Sequence, residues 1–265
     1  MKLLCLGTGA ADWKIAERPE GAEWRRFCSS LLDGKLLIDP GPHVYDYVEK
    51  EGCPALLDNV RNIIVTHSHG DHYNPKTVER IAKANGGVAL WGSFACRDKL
   101  VNACGEEILS LVDFHEVHER ESIEVGGYKM LVLPANHSTE IPTEIPFHYA
   151  ITDGEKSLYY ALDGAWLLRT EWNAIRANDW VFDAIVMDAT MGDCPGDLRI
   201  FEHNTIGMVE IMVQTFRSRK RLRPETGKVY ANHMAKTLHT DHATLVQRLA
   251  PSDILVCYDG MEIEI

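Results

Sequence analysis

The chain has 265 residues, 45% of them hydrophobic, enough for a sizeable core in one large domain or two small ones. A formal net charge of -12 argues against a nucleic-acid surface, because phosphate binding needs clustered Lys and Arg. With no basic-apolar leader and no long apolar run, a soluble cytoplasmic protein without membrane attachment is expected, and seven cysteines with no C-x-x-C pair are expected as reduced thiols, Cys5 and Cys257 among them as core strand residues.

In chain order, Met1 to Leu6 reads as a strand, and Leu31-Leu32 with Leu36 to Ile38 as a hairpin turned at Asp33-Gly34. Val44 to Glu49 reads as a helix stopped by Gly52. The apolar run Ile63-Ile64-Val65 is a buried strand, and Asn74-Pro75 opens a helix that Asn85-Gly86-Gly87 ends. Ser93 to Cys104 reads as a helix, Asp113 to Met130 and Phe147 to Leu162 as antiparallel strands, and Thr170 to Ala177 and Asn204 to Phe216 as helices. The basic run Arg217 to Arg223 suits a solvated helix end, since cations are favoured near helix C-termini. The chain closes with the strand Lys228 to Ala231, the helix Thr240 to Leu249 and the strand Ile254 to Cys257. No linker or repeat interrupts this alternation, so residues 1–265 are expected to form one α/β unit.

Chemistry is concentrated in His67-Ser68-His69-Gly70-Asp71-His72, three imidazoles and a carboxylate directly after a strand. Imidazole nitrogen and carboxylate oxygen suit Zn²⁺ and its borderline neighbours. In a turn leaving a strand end, His67 and His69 can face one way while Asp71 and His72 face another, which suggests two adjacent metal positions.

H-x-H-x-D-H after a hydrophobic strand resembles the second motif of the metallo-β-lactamase-fold hydrolases, and other segments agree in order. Leu36 to Gly41 resembles the first motif, with Asp39 orienting the metal loop; His137, Asp163 and His233, each after an apolar run, resemble the third, fourth and fifth. The resemblance implies an αββα sandwich, α/β (α+β) in class, with two mixed sheets face to face, outer helices and a site at one end. It implies two divalent ions, Zn²⁺ or Mn²⁺ with Fe²⁺ also accommodated, one on His67, His69 and His137 and the other on Asp71, His72 and His233, with Asp163 and a solvent oxygen bridging. Asp39 would then accept a ring N–H of a ligand histidine. Ala231 to His242 holds three late candidates, His233, His239 and His242, of which His233 follows the strand end.

Hydrolysis is the reaction such a centre implies, with Asp71 and His203 as catalytic candidates. His203 is either a general acid for a leaving oxygen or a helix cap. Gly7-Thr8-Gly9 and Arg26 to Ser30 resemble the opening of the phosphodiesterase branch, which includes ribonuclease Z and the phosphoribosyl cyclic phosphate phosphodiesterase, and this makes Gly9, Ser29 and Ser30 candidate substrate contacts. The sequence departs from that branch in lacking a cysteine cluster for a structural zinc and a Gly/Pro-rich RNA arm. The expected substrate is a small cyclic or nucleotide-like phosphodiester, nucleic acid is disfavoured, and a homodimer is left open. The competing expectations are a lactone, thioester or other carboxylic ester hydrolase and a non-catalytic metal-binding scaffold.

Overall fold

The computed structural model describes residues 1–14, 23–194 and 196–265. Its strands show the two-residue periodicity of chain packed on both faces. In β1 (Lys2–Gly7), Leu3 and Cys5 point to one core while Leu6 points to another; in β4 (Asn62–Ile64), Ile64 and Ile63 divide the same way. The pattern recurs in β10 (Ser157–Ala161), where Leu158 and Tyr160 face inward and Tyr159 and Ala161 face outward, and in β11 (Ala184–Asp188).

Three buried clusters result, and they define the layers. The middle one joins Leu3, Cys5, Ile38 and Ile64 of one sheet to Met130, Tyr149, Tyr160 and Val186 of the other. One outer cluster packs the first sheet against α1 (Val44–Lys50), α2 (Pro75–Asn85) and α3 (Phe94–Cys104). The second packs the other sheet against α4 (Arg169–Ala177), α5 (Ile206–Ser218) and α6 (His242–Leu249). The architecture is the expected four-layer αββα sandwich.

Among the described residues each sheet has seven strands. The first runs β14 (Glu262–Glu264), β1, β2 (Ser29–Leu32), β3 (Leu36–Ile38), β4, β5 (Val88–Gly92) and β6 (Val112–Glu116); it is antiparallel up to β3 and parallel beyond. The second runs β13 (Ile254–Val256), β12 (Lys228–Asn232), β11, β10, β9 (Phe147–Thr152), β8 (Tyr128–Pro134) and β7 (Ser122–Val125), with β10 to β13 parallel and the rest antiparallel. The β2–β3 hairpin turns at Asp33 and Gly34, both at positive φ, as the sequence suggests. Helix α2 is capped by Asn74 Oδ1, has Pro75 in its first turn, and stops at Gly86 in the left-handed conformation.

Three expectations need correction. Residues 113–130 do not form one antiparallel partner of residues 147–162: β6 closes the first sheet parallel to β5, and the chain crosses to the second sheet before the β7–β8 hairpin, whose turn uses the positive φ of Gly126 and Gly127. Alternation alone cannot show on which sheet a strand lands. Helix α5 is capped by Thr205, whose hydroxyl accepts from Met208 N, and not from His203-Asn204. Strands β5, β11 and β14 are additional to the elements expected from the sequence. The basic run does fall at the exposed end of α5, where Arg217 pairs with Asp253 and Arg223 with Asp183.

Candidate metal centre

Parallel strands all release their chains at the same end of a sheet, and side chains just past those carboxyl ends converge. Asp39 follows β3, His67 follows β4, Asp163 follows β10, Asp188 ends β11, and His233 follows β12. Asp39, Asp163 and His233 take positive φ of 57°, 53° and 61°, a tight reversal that swings each side chain back over the strand end. Asp and His tolerate this conformation better than bulkier residues, and such outliers gather at functional sites. Gly41 permits the metal loop to close in, because a Cβ there would lie 2.4 Å from the Asp71 carbonyl oxygen.

Three overlapping groups of donors form, two from the expected ligands and a third that joins Asp163 and His233 to Asp188 and His203. His67, His69, His137 and Asp163 offer one ligand atom each within 4.8 Å of one another, and so do Asp71, His72, Asp163 and His233. His67 Nε2 lies 2.9 Å from His69 Nδ1, which is 3.2 Å from His137 Nε2. His72 Nε2 lies 3.1 Å from His233 Nε2 and 3.1 Å from Asp163 Oδ2, and that oxygen is 3.3 Å from His67 Nε2, so Asp163 stands between the groups.

The far nitrogens of His67, His72, His137 and His233 meet acceptors, which fixes those tautomers. His67 Nδ1 donates to Thr66 Oγ1 at 3.0 Å, and that hydroxyl donates on to Asp39. His72 Nδ1 donates to Asp39 Oδ2 at 2.9 Å, as the resemblance implies for Asp39. His137 Nδ1 faces the Glu202 carbonyl oxygen at 3.3 Å, and His69 Nε2 faces the Glu140 carboxylate at 3.6 Å. His233 Nδ1 meets Thr190 Oγ1 at 2.7 Å, and Thr190 donates to Asp188. The inward nitrogens of His67, His69 and His137 face one another, a repulsive arrangement of lone pairs without a cation between them. In the second group burial would lower His72 and His233, but Asp163, joined at His72 by Asp71, raises both above the ordinary imidazole range and so draws positive charge to that point. Two nitrogens on a tetrahedral ion at 2.0–2.1 Å stand about 3.3 Å apart, close to the separations seen here. The residues therefore fit divalent ions.

Electrostatics agree. Burial pushes His67 and His137 below the ordinary imidazole range. Burial would raise Asp71 and Asp163, but His72 and His233 outweigh it and hold both carboxyls below the usual range, so both stay ionised at neutral pH.

The structure brings His67, His69, Asp71, His72, His137, Asp163 and His233 together. It leaves His239 and His242 outside: His239 Nε2 bonds the Ala189 carbonyl oxygen at 2.6 Å, and His242 Nδ1 lies 3.1 Å from Arg25 Nη2. His203 is no cap; its Nδ1 bonds Asp188 Oδ2 at 3.0 Å, and its ring lies alongside those of His233 and His137. Asp188 is the residue that the sequence motifs miss, although Ala184 to Met187 is an apolar run ending in an aspartate, the same signal that marks Asp39 and Asp163.

Above the donor cluster opens a cavity of about 640 Å³, lined among others by Phe27, Asp71, Asp163, Arg199, His203 and His233. Gly9, Ser29 and Ser30 do not line it, which corrects their assignment as substrate contacts. Gly9 N donates to the Arg26 carbonyl oxygen, and a Cβ there would strike Trp13; Ser29 Oγ bonds the Ile38 carbonyl oxygen and Ser30 Oγ the Tyr160 hydroxyl. These small residues serve close packing.

Two mixed sheets back to back between helices, with a His/Asp cluster at one end that could bind metals, define a hydrolase of the metallo-β-lactamase fold. The family described as Beta-lactamase superfamily domain matches residues 35–234, and the chain belongs to it. No curated protein matches the sequence. Among solved structures, the chain is similar to a new diphosphatase from the PhnP family at 21% identity and TM-score 0.75, covering 100% of this chain and 97% of that one. It is similar to the short form of human tRNase Z (ELAC1) at 16% identity and TM-score 0.69, covering 100% and 99%. It is also similar to unliganded yeast PDE1 at 10% identity and TM-score 0.68, again covering 100% and 99%. Among the described residues no helix is long and apolar enough to cross a membrane.

Proposed function

We propose that this chain is a binuclear metal-dependent phosphodiesterase acting on a small cyclic or nucleotide-like phosphodiester. The observation that carries the reading is the His203–Asp188 pair on the cavity wall beside the ligand cluster. Held at Nδ1 by Asp188, the His203 ring has Nε2 as its remaining donor. Burial lowers its basicity, but Asp188 outweighs burial and raises the imidazole above its ordinary pKa, which favours the protonated ring. That is the equipment of a general acid for an alkoxide leaving group, which a thioester, whose thiolate departs unprotonated, needs less. The names of the similar proteins, a diphosphatase, a tRNase and PDE1, support the same direction.

Two divalent ions on the seven ligands would supply an activated water and offset charge on the phosphoryl oxygens. The protein's own groups do the rest. Asp163 holds the two ligand groups in register, Asp39 through Thr66 and Asp188 through Thr190 fix the ring orientations, and Arg199, gripped by Asp197 at 2.7 Å, places a guanidinium on the cavity wall for an anionic substrate.

The test compares leaving groups. A general acid contributes about 10²–10⁴-fold when the leaving group is poor, and far less for p-nitrophenolate. His203→Ala should therefore damage turnover of a cyclic ribose phosphate much more than that of bis(p-nitrophenyl) phosphate. Equal loss on both, with metal content intact, removes the acid role; failure of the wild-type protein on every phosphodiester while a lactone or thioester is cleaved overturns the substrate class.

A further inference from the structure

Ser68 lies between the ligands His67 and His69, and all of its polar groups are engaged. Its amide donates to Glu144 Oε1 at 3.0 Å, its hydroxyl to Glu144 Oε2 at 2.6 Å, and its carbonyl oxygen accepts from Lys99 Nζ at 2.5 Å. Glu144 comes from 76 residues away and is only 6% exposed. A third donor, Ser93 Oγ, reaches Glu144 Oε1 at 2.5 Å. Ser93 is the N-cap residue of α3, yet its hydroxyl caps no helix amide and goes to the carboxylate instead. A buried carboxylate is costly unless its lone pairs are filled, and here three donors from two separate segments fill them.

The loop that carries Glu144 also carries His137. Glu144 therefore ties the segment bearing His67 and His69 to the segment bearing the third donor of the same ion, and it touches none of Asp71, His72 and His233. We infer that Glu144 is a positioning residue that assembles the first metal position, His67–His69–His137, selectively over the second. The inference rests on the two-ion reading above. It predicts unequal dependence: with Glu144 shortened, the first position loses its alignment while the second, held by Asp39 and Asp188, keeps its own.

The experiment is a Zn²⁺ titration of the apo-protein against a chromophoric chelator, with thermal melting in parallel. Wild type should bind two equivalents. Glu144→Ala should retain one at wild-type affinity and weaken the other by about 10–100-fold, the usual effect of losing a supporting partner. Glu144→Gln, which keeps an acceptor for the Ser68 amide, should recover part of that loss. Two equivalents bound as in wild type, with only the melting temperature lowered, would make Glu144 merely structural and overturn the inference; equal weakening of both ions would overturn its selectivity. Should Glu144→Ala fail to fold, Ser68→Ala removes one of the three donors, and an unchanged affinity there counts equally against it. Wild type that takes up no ion overturns the metal reading itself and the inference with it, whereas wild type that binds one ion overturns only the two-ion reading, and the inference then depends on whether Glu144→Ala weakens that ion.

Discussion

Among the described residues, two clusters that bring imidazole and carboxylate together are built on opposite logic. In the ligand cluster, five inward imidazole nitrogens and two carboxylates crowd one space, far more lone pairs than the available protons can satisfy. Behind it, His148 Nδ1 on β9 faces Glu171 Oε1 on α4 at 2.7 Å, with the Tyr159 hydroxyl on the same carboxylate oxygen, while His148 Nε2 and Glu171 Oε2 have no hydrogen-bond partner. The second cluster packs beneath the turn after Asp163, where a Cβ on Gly164 would lie 2.8 Å from the His148 ring. A surplus of acceptors converging on one point calls for a cation; a single imidazole–carboxylate pair, whose remaining atoms point apart, offers no such point. The difference separates a site from a support although residue types and burial are alike.

The comparison can be broken most severely at Asp163. Because it alone stands in both donor groups, Asp163→Ala should cost both ions and reduce turnover by more than the roughly 10–100-fold typical of losing a supporting partner. Elemental analysis showing loss of a single ion would reassign its bridging place. In the other cluster, Glu171→Ala should destabilise the fold by about 3–5 kcal/mol, the cost of stranding one member of a buried pair, while metal stoichiometry remains that of the wild type. Denaturant melts together with metal analysis check this, and loss of metal alongside stability would merge the two clusters into one.

The subtlest contrast is in pH. Burial would lower His148, but Glu171 raises it above the ordinary imidazole value. Its contribution is therefore fully present below the unfolded imidazole pKa, about 6.5, and fades as pH rises through the folded value. Metal ligation runs the other way, because imidazoles must be deprotonated to bind and uptake releases protons. The stability gap between wild type and Glu171→Ala should narrow toward alkaline pH, and the gap between metal-loaded and chelated protein should narrow toward acid. Parallel trends in both would erase the distinction.

Most of the His/Asp cluster that the structure brings together is legible in the sequence because the signal is local. His67 to His72 is a compact motif, and His137, Asp163 and His233 each follow an apolar run whose burial forces the chain to emerge at the sheet end. Asp188 carries the same mark but escapes notice because it is a partner of ligands and matches no motif by itself. Glu144 carries no mark at all: it sits in an irregular Pro-flanked loop, and nothing within a few residues reveals a bond to Ser68. The fold shows the same division. The hairpin at Asp33-Gly34 and the α2 cap and stop are decided by neighbouring residues, whereas the passage of the chain from one sheet to the other between β6 and β7 depends on which surface remains uncovered, a property of the assembled core.

The two donor groups built from the expected ligands are also divided evenly by origin. His67 and His69 come from the first sheet and His137 and Asp163 from the second; Asp71 and His72 come from the first, Asp163 and His233 from the second. Neither half of the sandwich owns all the donors of either of these two groups, so affinity for an ion at either exists only in conformations where the halves are already joined. Ions held this way would act as rivets through the seam: they would favour the joined state over any state with one half loosened, and their grip would be released only by parting the sheets or disordering the loops above them.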